Sequence, residues 1–417
     1  MEDLVPLFSS IVGSNSVSPG EPLRVRPTRA ESLPAVLATA AERGLAVAVQ
    51  GAGSKAHLGY PVQAAVVLET LALDQVVEYN AADLTVTVQA GMRLQALQET
   101  LAGANQWLPV DPPYADRCTV GGMVAANATG PRRLLYGGPR DLVLGMRIAL
   151  TDGTLVRCGG RVVKNVAGYD MNKLFIGSMG TLGVITELTF KVRPLPAHRQ
   201  TVLLGFPSAE SAFGAARAVV HSELVPAAME YLSPGASASL GLPEPHALTV
   251  VLEEVPAAVE YQERRLTALA EQQGGRRCQG DHDGLLTQVV HLADSMAPAA
   301  VVKLNLTIAQ VLEGIRQAEA TGLATACTAR CGSGIVYAYL GHGDSDPAAV
   351  AGAVNALLGF AAAAEGSATV ERAVPAVAER VALWGRPRPE QFLMDGLRQR
   401  FDPHGVLNPG RCAGRGV

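Results

Sequence analysis

Charge is scarce in this sequence. Asp, Glu, Lys and Arg make up 17% of 417 residues and the net charge is −4, so there is no electrostatic case for nucleic acid. Cysteine is sparse as well. Six cysteines (Cys118, Cys158, Cys278, Cys327, Cys331 and Cys412) are too few for a disulfide scaffold and form no paired C-x-x-C ligand sets. Cys327 and Cys331 read as two buried thiols rather than as a metal site. No apolar run reaches the roughly 20 residues of a membrane span. The start, MEDLVPLFSS, has no basic n-region, so no signal peptide is expected and a reducing cytoplasm is the expected location. What is abundant is apolar surface, 48% of the residues, which marks a soluble globular chain with a generous core. At this length two domains are the default expectation.

Glycine carries the local information. In 163–189, VKNVAGYDMNKLFIGSMGTLGVITELT, Gly177, Gly180 and Gly183 stand three apart, with Ser178 and Thr181 between them and Val184-Ile185-Thr186 following. Glycine lets backbone approach a ligand and supplies positive φ. Free N–H groups in such a turn make a concavity for anions. The alternation that follows reads as a strand, so this is a ligand-gripping turn entering a sheet, with an ordinary Gly-rich hairpin as the even alternative. A second turn is QGAGSK at 50–55. It has G-x-G but no third glycine, and no helix follows directly, so the dinucleotide fingerprint fails, as does the P-loop pattern. It still suits phosphate: Gly51 and Gly53 open the backbone while Ser54 and Lys55 offer a hydroxyl and a charge. The third is TVGGMVAANATG at 119–130. Its small residues can lie flat against a planar ring, with Thr119 and Asn127 at the polar edge; a tight helix–sheet contact would want the same residues. Arg132, Arg133, Arg140 and Arg147 form either a solvated face or, with Lys164 and Lys173, the lining of a pocket for an anion.

The periodicity gives the elements. Residues 1–20 read as a loose tail. A strand at 23–26 is followed by a T-x-x-E capping box (Thr28, Glu31), a helix through Leu33, Val36, Leu37 and Ala40, a stop at Gly44, and a buried strand at 45–49. Further strands are expected at 66–68, 84–89, 142–150 and 155–158, and a helix at 94–101. The strand after Gly183 ends in RPLP at 193–196, a domain boundary. Beyond it, strands at 202–206, 229–232, 247–252, 301–306, 334–340 and near Thr369 alternate with helices at 209–220, 257–271, 310–320 and 348–365. Two successive β-α-β-β-α patterns predict an α+β domain with one antiparallel sheet and helices on one face. A last helix is expected at 389–399.

Taken in order, QGAGSK, TVGGMVAANATG, KNVAGYDMNKLFIGSMGTLGVITE and the terminal FDPHGVLNPGR resemble the FAD-linked oxidase family of the vanillyl-alcohol oxidase type. The likeness covers about 21–194 and the last twenty residues. Within the family, the run from 159 to 196 is most similar to the small FAD-binding subunits of bacterial glycolate oxidases, enzymes that join two related flavin subunits and an iron–sulfur subunit. The resemblance implies an α+β chain: a tail (1–20), a two-subdomain FAD-binding domain (21–196), an α+β cap with an antiparallel sheet (197–388), and a segment returning to the FAD domain (389–417). It implies FAD, held without a covalent bond because Ser54 stands where histidyl-linked members carry their histidine. Gly51, Ala52, Gly53, Ser54 and Lys55 would hold the pyrophosphate. Pro109, Thr119, Val120, Gly121, Gly122 and Asn127 would lie along the flavin and ribityl chain. Gly177, Ser178, Gly180, Thr181, Gly183, Val184 and Ile185 would make adenine-side and ribityl contacts.

The departures from the family pattern bear on activity. Members that oxidise 2-hydroxy acids carry two histidines in GHxGDGNxH and a later Glu-His. Here the nearest stretch is GHGDSDP at 341–347, the next histidine after His342 is His404, and Glu371 is followed by Arg372. One imidazole with a carboxylate is a poor divalent site, so no metal is expected and no catalytic residue is assigned. His342 is the one candidate base, with a surface or packed role preferred. The resulting expectation is an FAD subunit of a heteromeric glycolate (2-hydroxy acid) dehydrogenase, inactive in isolation. Its partners would be a sister FAD-containing catalytic subunit and an iron–sulfur subunit, and the complex would bring it to the inner face of the cell membrane. The alternatives are a self-sufficient 2-hydroxy-acid oxidoreductase, opposed by the missing histidines, and a flavin-free scaffold, opposed by the intact glycines.

Overall fold

The computed structural model describes residues 4–160, 169–387 and 389–412. The described residues divide into one unit made of 4–129, 137–160, 169–195 and 389–412 and another made of 130–136 and 196–387.

The first unit begins with a βαβ arrangement. Leu23–Val25 and Val47–Gln50 both pair in parallel with Val66–Glu69, and Val17–Ser18 adds an antiparallel edge. The intervening helix, Leu33–Glu42, buries Leu33, Val36, Leu37 and Ala40, the spacing of one helical face. Pro34 lies in the first turn, where its missing N–H costs nothing. Gly44, at φ +63, ends the helix, and Leu45 N–H donates to Ala40 O at 2.8 Å, a left-handed cap. The expected capping box does not form. Ala30–Ser32 instead make a 3-10 turn, Ser32 Oγ donates to Arg29 O, and Glu31 faces Arg147 at 3.9 Å. The loose-tail expectation also fails. Leu4–Val12 is a helix whose fully buried Phe8 packs with Leu33 and Leu37, with Leu4 and Ile11 beside it. Burying a phenyl ring this way contributes about 1.5–3 kcal/mol, enough to order a short terminal helix.

The rest of this unit is an antiparallel five-stranded sheet in the order Val76–Asn80, Thr85–Gln89, Val184–Lys191, Val143–Ala149, Leu155–Gly159. One face supplies Val86, Val88, Met146, Ile148, Leu188 and Phe190 to a core completed by the helices Leu94–Ala102 and Val120–Ala125. The other face is polar: the Thr87 and Thr189 hydroxyls lie 2.9 Å apart and Arg147 pairs with Glu187 at 2.7 Å. After the helix Gln391–Phe401 the chain returns to the first sheet, where Leu407 bridges Val47 in parallel.

The second unit is built on an eight-stranded antiparallel sheet. Its order is Arg276–Arg277, His198–Phe206, His246–Glu254, Ala228–Leu232, Ala324–Arg330, Ile335–Leu340, Ala300–Asn305, Ser367–Ala373. The helices Ala209–Val220, Pro256–Glu271, Val311–Ala320 and Pro347–Ala363 stand where the periodicity places them. The central strand Ala324–Arg330 has no counterpart in the sequence reading. Its sequence, ATACTAR, is poor in the branched and aromatic residues that mark strands. Two buried carboxylates hold this unit. Glu230 meets Arg330 at 3.5 Å, with both side chains almost wholly buried. Glu253, whose side chain is fully buried, takes Arg132 at 2.9 Å, Arg199 at 2.6 Å and the Tyr136 hydroxyl at 2.8 Å, which fixes segment 130–136. Burial, then the neighbouring Glu253 charge, pushes the Tyr136 phenol up.

Candidate cofactor site

The first unit contains an open cleft. One wall is the turn that leaves strand Val47–Gln50: Gly51, Ala52, Gly53, Ser54 and Lys55 all line it. Gly53 sits at φ +74, a conformation that glycine adopts without a Cβ penalty. A Cβ on Gly51 would collide with Thr119 Oγ1. Ala56 N–H closes the turn onto Gly53 O at 3.0 Å. Among the described residues, the backbone N–H groups of Gly51, Ala52, Gly53 and Ser54 donate to no protein acceptor. Four successive open donors form the kind of concavity that takes an anion.

The second wall is the short helix Val120–Ala125. Thr119 caps it, accepting from Gly122 N–H at 3.2 Å. Gly121 lies so close to the neighbouring chain that a Cβ would sit 2.7 Å from both Ala90 Cβ and Ala90 O. The two readings of this small-residue run are therefore compatible: it packs tightly on the sheet, and Thr119, Gly121, Gly122, Ala125 and Ala126 also line the cleft. The third wall is Met179, Gly180, Gly183, Val184 and Ile185. Met179 N–H donates to Ala125 O at 2.9 Å and Gly177 N–H to Val124 O at 3.1 Å, tying this turn to the helix.

Of the residues singled out in the sequence, six stand behind these walls. Val120 is fully buried in the core, and its N–H donates to Met92 O. Pro109 is buried. Thr181 Oγ1 donates to Ser178 O at 2.7 Å. Asn127, at φ +46, faces Gly177, where an added Cβ would come 3.4 Å from Asn127 Cβ. These residues shape the turns. Arg411 lines the cleft without having been singled out. Its Nη1 donates to Leu58 O at 2.8 Å, and burial pushes its guanidinium pKa down. Only its place at the end of FDPHGVLNPGR pointed to it.

The arginine run does not enter the cleft. Arg147 pairs with Glu187, Arg132 with Glu253, and Arg140 donates to Lys173 O at 3.4 Å; Lys173 meets Asp170 at 3.5 Å. Lys164 lies outside the described residues. In the second unit His342 is exposed and its N–H donates to Ser345 Oγ at 2.8 Å. Arg372 pairs with Asp294 at 2.9 Å and Lys303 with Glu371 at 3.8 Å. Among the described residues no three His, Cys, Asp or Glu side chains gather as metal ligands. Cys327 and Cys331 are buried free thiols.

Open backbone donors, a glycine-cleared approach and a flat small-residue wall suit a dinucleotide with a planar ring. The family model described as FAD binding domain matches residues 22–159, and the one described as FAD linked oxidases, C-terminal domain, matches 195–330. The glycolate oxidase subunit GlcE of Escherichia coli (strain K12) is 45% identical over 149 residues, 36% of this chain and 42% of that protein. The glycolate oxidase subunit GlcD of Bacillus subtilis (strain 168) is 31% identical over 209 residues, 50% of this chain and 44% of that protein. The chain thus spans less than half the length of these two relatives. The D-lactate dehydrogenase of Archaeoglobus fulgidus is 28% identical over 411 residues, 93% of this chain and 90% of that protein. Among solved structures, p-cresol methylhydroxylase with substrate bound superposes with a TM-score of 0.76 at 15% identity, covering 98% of this chain and 96% of that one. The fold is therefore that of p-cresol methylhydroxylase. The chain carries an FAD binding domain followed by a C-terminal domain of the kind found in FAD linked oxidases, with FAD as its cofactor.

Proposed function

We propose that this chain is the FAD-binding subunit of a heteromeric dehydrogenase acting on glycolate or a close 2-hydroxy acid, with substrate oxidised mainly on a sister flavin subunit. The observation that carries the reading is the 45% identity to a protein named as a glycolate oxidase subunit. The sequence of the second unit supports the split of labour, because His342 has no second histidine near it and Arg372 follows Glu371. A 2-hydroxy acid needs a cation for its carboxylate and a base for its hydroxyl proton, and here those functions fall to the partner.

The chain's own residues supply the holding. The N–H groups of Gly51, Ala52, Gly53 and Ser54 take the pyrophosphate, with Lys55 and Arg411 as neighbouring cations. Thr119, Gly121 and Gly122 form the surface along the ring and ribityl chain, and Gly180 with Gly183 admits the remainder. Bound FAD supplies the electron chemistry; the protein orients it and excludes water. Further partners are an iron–sulfur subunit and, through the complex, the inner face of the membrane. Among the described residues no helix is long and apolar enough to cross a membrane.

The end-to-end alignment with a D-lactate dehydrogenase favours one second reading, a self-sufficient 2-hydroxy-acid oxidoreductase. Steady-state turnover of glycolate and D-lactate with a dye acceptor separates the two. The purified chain is expected to stay inactive, with or without divalent metal, and to gain activity on reconstitution with its sister subunits. Equal turnover by the lone chain overturns the subunit reading.

A further inference from the structure

Residues 401–411 read FDPHGVLNPGR, of which the reading above uses only Arg411. The segment crosses the first unit as a clasp. Asp402, 7% exposed, accepts from Val406 N–H at 3.0 Å and Leu407 N–H at 2.7 Å, which sets the turn. Asn408 then donates its N–H to Val47 O at 2.9 Å. Its side chain, on a residue 2% exposed, is bonded at both ends. Oδ1 accepts from Val49 N–H at 2.9 Å, and Nδ2 donates to Met179 O at 2.7 Å. Val49 lies on the strand that launches the Gly51–Ser54 turn; Met179 precedes Gly180 in the opposite wall of the cleft. One buried amide therefore spans two turns, from partners 359 and 229 residues away in the chain. Gly180 leaves the room this needs, since a Cβ there would sit 2.8 Å from Asn408 Nδ2. The clasp also holds the far side of the first turn. Arg411 O accepts from Tyr60 N–H at 3.2 Å, and its guanidinium donates to Ala56 O and Leu58 O.

We propose that Asn408 is a positioning residue for the flavin cleft: it sets the spacing between the Gly51–Ser54 turn and the Gly180 turn, and so sets FAD affinity. The inference rests on the reading of this cleft as the FAD site. An amide is required because the two backbone partners ask for one acceptor and one donor, which neither a carboxylate nor an aliphatic side chain provides. The left-handed φ of +42 further suits asparagine, which tolerates that region.

Two substitutions test it. Asn408→Gly keeps the backbone conformation accessible and removes both side-chain bonds. Asn408→Asp keeps the acceptor for Val49 N–H and turns an oxygen toward Met179 O. Each apoprotein is titrated with FAD by flavin fluorescence, alongside Gly53→Val. Amide hydrogen exchange of the apoprotein is read by mass spectrometry over 47–58 and 176–185. Both Asn408 variants are expected to bind FAD at least tenfold more weakly, with faster exchange confined to those two stretches and a lowered unfolding midpoint, since buried hydrogen bonds are lost. Affinity within twofold of the parent, while Gly53→Val loses FAD, overturns the clasp and leaves the cleft assignment standing. Parental affinity in all three overturns both. Should Asn408→Gly fail to fold, Asn408→Asp carries the test alone, and parental affinity in it overturns the proposal.

Discussion

Replacing Gly53 with valine perturbs the cleft at one turn. Gly53 sits at φ +74, and a Cβ would lie 2.8 Å from Gln50 Nε2. That atom is the end of a flexible side chain and can swing away, so the steric term is small. The backbone term is not. A β-branched residue held in the left-handed region costs about 1–3 kcal/mol. The turn either bears that strain or relaxes to negative φ, which redirects the N–H groups of Gly53 and Ser54. Each hydrogen bond to a charged phosphate is worth about 1.5–3 kcal/mol, so losing one and bearing part of the strain totals about 2–4 kcal/mol. That corresponds to roughly 30- to 1000-fold weaker FAD binding. The assay is titration of the apoprotein, read by quenching of flavin fluorescence, with the absorbance ratio of the purified protein as a check. Gly274 provides a matched control: it also has φ +74, no atom lies within 4 Å of its added Cβ, and it belongs to the second unit. Gly274→Val is expected to lower stability while leaving FAD affinity unchanged. Parental FAD affinity in Gly53→Val would refute the assignment of the turn.

Acid precipitation is expected to release all flavin into the supernatant, since Ser54 and not a histidine occupies the turn; fluorescence retained by the pellet contradicts this. Glu253→Ala should destabilise the second unit by about 3–5 kcal/mol, because it removes the buried carboxylate that Arg132, Arg199 and the Tyr136 hydroxyl share; a urea midpoint within error of the parent refutes it. Burial pushes the Cys118 thiol from 9.0 up to about 12. A folded pKa raised above the unfolded one gives stability that is present below pH 9 and lost as pH rises from about 9 to about 12. Cys118→Ala should flatten the alkaline limb of a pH–melting-temperature profile, and an unchanged slope counts against the assignment.

Much of the cleft was legible because its demands are written in glycine. Gly53, Gly177 and Gly180 all have positive φ, and glycine at such positions shows directly in the sequence. The βαβ entry was legible through the four buried positions of the helix Leu33–Glu42. Other parts were hidden for physical reasons. Strand Ala324–Arg330 draws its stability from two neighbours in the sheet rather than from its own Ala, Thr and Cys residues. Strand Val76–Asn80 is mostly exposed, so burial leaves no alternating pattern to read. The helix Leu4–Val12 is ordered by Phe8 entering a core built from residues far along the chain. Asn408 is a tertiary link between segments hundreds of residues apart, and no local window contains both ends. The Glu253 cluster gathers Arg132, Tyr136 and Arg199 in the same way, which is why the arginine run looked free to line a pocket.

The central claim is that this chain holds FAD while its sister subunit oxidises the substrate. Its most direct test is anaerobic mixing of the purified, flavin-loaded chain with glycolate or D-lactate, followed at the flavin absorption band near ~450 nm, where bleaching reports electrons delivered to the cofactor. The account predicts that the band persists with substrate alone and bleaches once the sister subunit is added. Rapid, complete bleaching of the isolated chain by either substrate would contradict it.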